Sequence, residues 1–275
     1  MNMSTVAVSA PQSGADQNTA NKILGMADTS FYRIVSVIAV FLAWEIAGRI
    51  PISVAFPTFS STMAALFDMT ADGSILRAYG QTLQPLAVGV SISAGFGVAI
   101  GVSMGLNRLF QWFWEPIFVV LQASPVAALI PLITYAYGIG LTAKTVAVIM
   151  LAAPIIVLNT YKAVRNASPS LIQMCRSFQG TRMQEIWRVI IPNAAPVIFA
   201  GLRLGVAAGF IGVILAELLI TPTGIGDLIS YNRSIAAYDY MYAAVFTIIV
   251  FSAVMVGLLE KAEINFFRPE KKKGH

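Results

Sequence analysis

Few residues of this sequence could carry out covalent chemistry or bind a metal. Cys175 is the only cysteine and His275 the only histidine, which excludes a CxxC redox pair, a disulfide framework and a His/Cys metal site. No nucleophile–base pair or carboxylate cluster can be assembled from the remaining residues. The phosphate-binding pattern GxxxxGK[ST] is also missing from the sequence. We therefore expect no catalytic residue, no metal and no cofactor in this chain.

Polar residues inside apolar blocks are the next candidates, and each has two interpretations. Glu217 lies deep in an apolar block, where an ionisable group is expensive. It could line a pathway or hold two helices together by hydrogen bonds. Asn159 could face a cavity or bond to a neighbouring helix. Arg203 could attract anions or extend to lipid headgroups.

The composition indicates that these residues are positioned by a membrane protein. Apolar residues make up 57% of the 275 residues and charged residues only 11%, against roughly half and a quarter in an average soluble domain. Several apolar blocks reach the ~20 residues that cross a bilayer as a helix. The net charge of +5 is scattered between these blocks, so a nucleic-acid partner is not expected.

The hydropathy pattern predicts an all-α protein with six transmembrane helices. An even number of spans puts both termini on one side of the membrane. Of the 18 Lys and Arg residues, fourteen fall in segments on that side and four on the other, so the termini are expected in the cytoplasm. Residues 1–30 are predicted to be a disordered tail. The predicted spans are 31–47, 81–106, 113–137, 143–164, 196–220 and 238–259, and the four outer cations are Arg49, Arg77, Lys144 and Arg233.

Two features of the spans predict how they pack. Small residues recur every fourth position, which lets another helix approach closely. Prolines inside or at the ends of spans remove backbone hydrogen bonds and can bend the helices, which leaves room for a pathway. The small residues are Ser93, Gly97, Gly101 and Gly105, and the prolines are Pro85, Pro125, Pro131, Pro154 and Pro196.

Segment 165–192 is too polar and interrupted to cross the membrane. Ser168 and Pro169 are typical of a helix N-cap and first position, and we expect a short amphipathic helix that ends at Gly180. Thr181 then offers a capping box for a second helix, expected to end at Pro192. This pair could touch a soluble partner or rest on lipid headgroups. The apolar face of the first helix is predicted to comprise Leu171, Met174, Cys175 and Phe178.

Residues 171–192 resemble the cytoplasmic EAA segment of ABC importer permeases, in spacing more than in identity. Gln173, Met174 and Cys175 stand at the Glu-Ala-Ala positions. The family's glycine position holds Gln179, with Gly180 next, so the turn is expected to be displaced by one residue. Six further stretches resemble the permeases of nitrate, taurine and aliphatic-sulfonate importers: Trp44-Glu45, FPTFSSTMAAL from Phe56, SPVAALIPLITYAYGIG from Ser124, APIIVLNTYKAVRNASP from Ala153, AGLRLG from Ala200 and AELLITPTGIGDLI from Ala216.

The resemblance implies a complete transport assembly. The chain would be a non-enzymatic permease with the type I ABC importer arrangement, in a bacterial inner membrane. Its partners would be a second copy of itself, two ATP-binding subunits, a periplasmic binding protein and membrane lipid. The solute would be a small anion or zwitterion. The alternative is a self-sufficient secondary transporter or channel.

The resemblance also divides the chain and assigns site residues. The permease domain would be 31–264, with a coupling segment at 166–192 and a basic cytoplasmic tail at 265–275. Because Gln173 is neutral where the family commonly has Glu, an amide hydrogen bond would replace an ion pair to the ATPase. The pathway candidates are Tyr137, which stands where the family has an aromatic pair, Asn159 and Glu217. The ATPase-coupling residues would be Leu171, Gln173, Met174, Cys175, Phe178, Gln179 and Gly180.

Overall fold

The structure, a computed structural model, describes residues 14–50, 55–220 and 222–267, which contain α-helices, one π-helical turn and no β-strand. Residues 1–13 of the predicted N-terminal tail and 268–275 of the basic tail lie outside the described residues. The helices are α1 (Gly14–Arg49), α2 (Phe59–Ala71), α3 (Ser74–Leu106), α4 (Arg108–Ala123), α5 (Val126–Tyr137), α6 (Leu141–Arg165), α7 (Pro169–Ser177), α8 (Arg182–Gln184), α9 (Ile191–Leu219), α10 (Ile225–Ser234) and α11 (Tyr238–Phe267).

The chain divides into two compact units, residues 1–61 and 62–275. In the first unit, the C-terminal part of α1 is bonded to the segment that follows it. Trp44 Nε1 donates to the carbonyl oxygen of Pro57 at 3.1 Å, and the backbone N–H of Ser60 donates to the Glu45 carboxylate at 2.9 Å. The Trp44-Glu45 pair therefore anchors the residues that lead into α2.

Within the described residues, four helical stretches are long and apolar enough to cross a membrane: α3, α6, the continuous stretch Arg182–Leu219 and most of α11. Helices α4 and α5 form a fifth if they are counted as one broken span. Four of the six predicted spans thus correspond to these stretches. The span predicted at 31–47 lies within α1, which is not among them.

The span predicted at 113–137 is two helices that meet at 101°. The break falls at Ser124 and Pro125. Proline lacks a backbone N–H and disfavours the helical conformation in the residue before it. Ser124 accordingly adopts an extended conformation, with φ −69° and ψ 137°.

Helix α6 packs between α3 and α9, and glycines on both neighbours allow the close approach. On α3, a Cβ added to Gly101 would lie 2.6 Å from Thr160 Cβ and 2.7 Å from the Val157 carbonyl oxygen. On α9, a Cβ added to Gly212 would lie 2.8 Å from the Ala147 carbonyl oxygen. The predicted role of the small-residue stripe is confirmed. Helix α9 carries a second stripe that the sequence reasoning did not identify, formed by Gly201, Gly205, Gly209 and Gly212.

The helix that begins after Thr181 does not end at Pro192, as the sequence had indicated, but continues to Leu219. In an α-helix the proline ring would clash with the carbonyl group four residues earlier. Here residues Glu185–Ile190 form a wider π-helical turn, and the Ile191 N–H bonds to the Ile186 carbonyl, five residues back. The wider turn lets the helix pass through the proline.

Candidate functional site

The first candidate site is the segment around α7, whose ends follow the sequence prediction closely. Pro169 occupies the first turn of α7. At the start of α8, the Thr181 N–H donates to Gln184 Oε1 at 2.8 Å, and the Gln184 N–H donates to Thr181 Oγ1 at 3.4 Å. The predicted capping box is therefore confirmed.

The turn between α7 and α8 differs from the prediction in one residue. Gln179, not Gly180, adopts the left-handed conformation, with φ 55°. The Gly180 N–H donates to the Cys175 carbonyl and the Gln179 N–H to the Arg176 carbonyl, at 3.0 and 2.9 Å, the pattern of a Schellman helix end. A Cβ at Gly180 would lie 2.6 Å from Cys175 Sγ. Glycine is needed where the chain passes α7 closely, so Gln179 takes the strained position, at a cost of roughly 1–2 kcal/mol.

The predicted apolar face of α7 is largely uncovered in the single chain. Leu171 is 37% exposed, Met174 53% and Phe178 80%, while Cys175 is half-buried. Ile172, on the adjoining side of the helix, packs against a core cluster formed by Ala163, Val164, Ala167, Ile190, Ala194 and Ile198. One side of α7, with Ile172, therefore packs on the core, and another side presents exposed apolar side chains.

An ion-pair cluster fixes α7 to the helix that follows it. Arg176 donates to both carboxylate oxygens of Glu185, at 3.1 and 3.2 Å, and Arg182 also bonds to this carboxylate. Glu185 is buried, whereas both arginines are exposed. These hydrogen bonds raise the pKa of the Arg176 guanidinium, which stays charged.

Sequence reasoning identified Gln173 as the polar residue of interest in this segment, and Gln173 is exposed. Glu185 was missed. The spacing of Arg182 and Glu185, three residues apart at a helix start, is the one local signal for it. The ion pair between Arg176 and Glu185 depends on the turn between α7 and α8, which brings the two side chains together.

The second candidate site is a buried polar cluster at the N-terminal end of α6, whereas α7 follows the C-terminal end of that helix. Lys144 Nζ lies 2.8 Å from Glu217 Oε1, and the two side chains are almost completely buried. Thr82 donates to the same carboxylate at 2.9 Å, and the Gly226 N–H donates to Glu217 Oε2 at 3.1 Å. Helices α3, α6 and α9 and the start of α10 therefore meet at one carboxylate.

The loop before α10 is held by the same cluster. Lys144 Nζ donates to the Thr223 carbonyl at 2.9 Å, and the Gly224 N–H donates to Gln81 Oε1 at 3.0 Å. Gly224 has φ +98°, and a Cβ there would overlap the Glu217 carboxylate. Glycine at this position is thus required by both the backbone conformation and the available space.

The structure corrects the interpretation of Lys144 as an outer-loop cation, because Lys144 is 3% exposed and bound to Glu217. Arg203 also has partners. Its Nη1 lies 3.6 Å from Glu263 and 3.7 Å from Glu260 on α11, so Arg203 forms ion pairs with α11.

The three predicted pathway residues lie in different surroundings. Tyr137 is exposed at the C-terminal end of α5, and Glu217 belongs to the buried cluster. Asn159 lies along α6 about 22 Å from Lys144 at ~1.5 Å per residue. There it is half-buried, donates to the Ile155 carbonyl at 2.8 Å and faces Gly201 of α9.

Known transport proteins resemble this chain over most of its length. It is 27% identical to the taurine transport system permease protein TauC of Escherichia coli (strain K12) over 189 residues, which are 69% of this chain and 67% of that protein. It is 25% identical to the putative aliphatic sulfonates transport permease protein SsuC of Bacillus subtilis (strain 168) over 219 residues, 78% of each chain. The nitrate import permease protein NrtB of Synechocystis (strain PCC 6803) is 28% identical over 189 residues, with 67% and 68% covered.

Solved structures share the fold at lower identity. A chain of the MetNI methionine ABC transporter in an inward-facing conformation superposes with a TM-score of 0.57 at 20% identity, covering 71% of this chain and 97% of that one. A chain of an amino acid ABC transporter crystallised with histidines gives 0.60 at 17%, covering 74% and 98%. The family model described as "Binding-protein-dependent transport system inner membrane component" matches residues 93–262. Because this match spans more than half of the chain, the protein belongs to the inner membrane components of binding-protein-dependent transport systems.

Proposed function

We propose that this protein is the permease subunit of an ATP-driven importer, with six transmembrane helices and both termini in the cytoplasm. Two copies form the pathway in a bacterial inner membrane, two ATP-binding subunits drive it, and a periplasmic binding protein delivers the solute. Family membership supports the binding-protein dependence. The names of the relatives, which refer to taurine, aliphatic sulfonates and nitrate, support a small anionic or zwitterionic solute.

The observation that carries the proposal is the exposed apolar face of α7 on a fixed support. Phe178, Met174 and Leu171 leave contiguous apolar surface uncovered at the end of a basic segment, and such surface typically marks an interaction site. The Schellman turn and the Arg176–Glu185 pair hold this face in one orientation. A rigidly presented apolar helix fits a groove on a protein partner, and the ATP-binding subunit is the partner expected on the cytoplasmic side.

The test is co-purification of the ATP-binding subunit with a Phe178→Asp variant. An unpaired carboxylate buried in a protein groove costs about 3–5 kcal/mol by analogy with broken buried pairs, and each ~1.4 kcal/mol is tenfold in affinity. We therefore expect at least about a hundredfold weaker ATPase binding, with membrane insertion and permease level unchanged. The matched control is Ser177→Asp, which adds the same charge at the same end of α7 on a different side and should retain the ATPase.

Equal ATPase recovery from Phe178→Asp and wild type, with normal uptake, would remove α7 as the coupling contact. The self-sufficient secondary transporter remains the alternative, and it needs an ion-coupling acid within the spans. Glu217 is the acid deepest in an apolar block, and its carboxylate is already bonded to Lys144 and Thr82. If the importer is ATP-driven as proposed, the isolated chain should hydrolyse no ATP. Hydrolysis should appear when the ATP-binding subunit is added.

A further inference from the structure

A small polar cavity adjoins the buried cluster of Lys144 and Glu217. Its volume is about 150 Å³, and it is lined by Gln81, Gln84, Leu141, Lys144 and Thr223. A groove of about 680 Å³ elsewhere in the chain is lined mostly by apolar side chains of α9 and α11. The smaller cavity, which we call the Gln84 cavity, thus differs in chemistry from this apolar groove.

The Gln84 cavity offers several hydrogen-bond donors beside two acceptors, the Glu217 carboxylate and Gln81 Oε1, that already accept bonds from the protein. The Glu217 carboxylate accepts bonds from Lys144, Thr82 and the Gly226 N–H. Gln81 Oε1 accepts from the Gly224 N–H, which leaves the Gln81 amide NH₂ as a donor. Lys144 Nζ has three N–H bonds, two of which are directed to Glu217 and Thr223. With the NH₂ group of Gln84, these groups suit an oxygen acceptor.

The charges of the cluster favour weak binding over permanent capture. Lys144 and Glu217 lie 2.8 Å apart and cancel each other. An oxyanion in the cavity would therefore be held by hydrogen bonds and not by a net positive charge. A transport pathway needs sites that a solute can enter and also leave.

The cavity lies at the end of α6 opposite the α7 segment. Lys144 stands in the first turn of α6, and α7 follows the last turn; the 25 residues of α6 extend about 37 Å. With α7 in the cytoplasm, the cavity is at the outer mouth, where a delivered solute arrives. We infer that the Gln84 cavity binds the oxyanion group of the transported solute as it enters. This inference rests on the proposed function and deepens it.

The first experiment measures thermal unfolding of the purified full-length chain in nitrate, methanesulfonate or taurine, with chloride at equal ionic strength as the reference. We expect at least one of the three solutes to raise Tm with a saturable concentration dependence, because a ligand that binds only the folded state stabilises it. Gln84→Glu keeps the side-chain shape and adds a negative charge. It should weaken binding about tenfold or more, equivalent to ~1.4 kcal/mol.

Two further variants make the comparison interpretable. Asn107→Asp is the same amide-to-carboxylate change at the opposite end of α3, at an N-cap that accepts Asp, and it should bind as wild type does. Gln84→Leu removes the donor without adding charge and should also weaken binding. Absence of a Tm increase in all three solutes, or equal affinity in wild type and both Gln84 variants, would overturn the inference.

A second readout uses the complex with its ATPase and binding protein in proteoliposomes. Gln84→Glu should lower solute uptake about tenfold while ATP hydrolysis stays stimulated by loaded binding protein, since the variant does not alter α7. A merely structural role would reduce both activities together. If wild type itself binds no ATPase, the proposed function fails, and the Tm result on the chain alone still decides whether the cavity binds oxyanions.

Discussion

At the scale of single residues, Glu217 is explained by its partners. A carboxylate inside an apolar block is expensive unless it is paired and hydrogen-bonded. Here Lys144, Thr82 and the Gly226 N–H satisfy it from three other parts of the chain. Glu217 therefore joins helices, and it also orients Lys144 toward the Gln84 cavity.

Removing one partner of this pair should destabilise the protein more than removing both. Glu217→Gln or Lys144→Met leaves one buried charge unpaired, which costs about 3–5 kcal/mol, whereas the double variant leaves none. Thermal unfolding in detergent would measure the difference. Glu260→Gln alters a carboxylate that is exposed and lies 3.7 Å from Arg203, so this control should cost at most about 1 kcal/mol. Additive losses from the two single changes would contradict the pairing.

The sequence predicts one half of this pair and misses the other for a physical reason. Glu217 interrupts an apolar block and is visible to any hydropathy argument. Lys144 stands at the edge of its block, where a cation is ordinary, and its partner is 73 positions away. Thr82 and Gly226 carry no local signal, because their role depends on how three helices and a loop come together.

At the scale of elements, the two glycine stripes determine how α3, α6 and α9 pack. Without a hydrophobic driving force in lipid, helices associate through close van der Waals packing, which small residues permit. Gly101 approaches the backbone of α6 at Val157, and Gly212 does so at Ala147. The tight packing lets Lys144 of α6 and Thr82 of α3 both reach the Glu217 carboxylate of α9.

Alanine substitutions in α3 should separate glycines that pack from glycines that do not. Gly101→Ala would place a Cβ 2.6 Å from Thr160 Cβ and 2.7 Å from the Val157 carbonyl oxygen, so α3 and α6 must move apart, at a cost of about 1–3 kcal/mol. Gly95→Ala meets nothing within 4 Å and should be neutral or stabilising by up to about 1 kcal/mol. Unfolding of the two variants in detergent checks this, and equal stabilities would argue against the packing.

Helix ends were more predictable than helix lengths. The capping box at Thr181 and Gln184 is a local pattern of side chain and backbone, and it is found as expected. The expected helix end at Pro192 is wrong because a π-helical turn, which has no clear sequence signal, accommodates the proline. The position of the turn at Gln179 is missed as well, because the close approach of Gly180 to Cys175 depends on the geometry of the helix end and not on residue type alone.

At the scale of the whole molecule, the family can be predicted from the sequence. Each short segment resembles the family only loosely, but the order and spacing of many such segments together identify it. The family match covers 93–262, the part that holds α6, α7, α9 and the C-terminal part of α3. The number of spans is less certain from hydropathy, since α4 and α5 meet at a sharp bend and α1 is not among the apolar stretches. Orientation rests on the distribution of Lys and Arg.

The proposed orientation predicts which residues an external thiol reagent reaches. In a Cys175→Ser background, Asp72→Cys and Ser230→Cys should be labelled in sealed cells by an impermeant reagent, whereas Ser170→Cys should not, because basic segments stay in the cytoplasm. Lys272, expected inside as well, lies outside the described residues. A permeant reagent should label Ser170→Cys, which verifies that the thiol is accessible. Labelling of Ser170→Cys by the impermeant reagent would invert the orientation.

The π-helical turn at Glu185–Ile190 also sets the angle at which α7 is presented. Such a turn contains one residue more than an α-helical turn, and one residue corresponds to about 100° of rotation about the helix axis. The residues before the turn are therefore rotated by about 100° about the helix axis relative to α9, compared with an unbroken α-helix. Helix α7 is rotated with them, because Arg176 is bonded to Glu185. Deleting a single residue here would keep both helices and change the direction in which Phe178 faces. One residue of helix length thus determines the direction in which the exposed apolar face of α7 points.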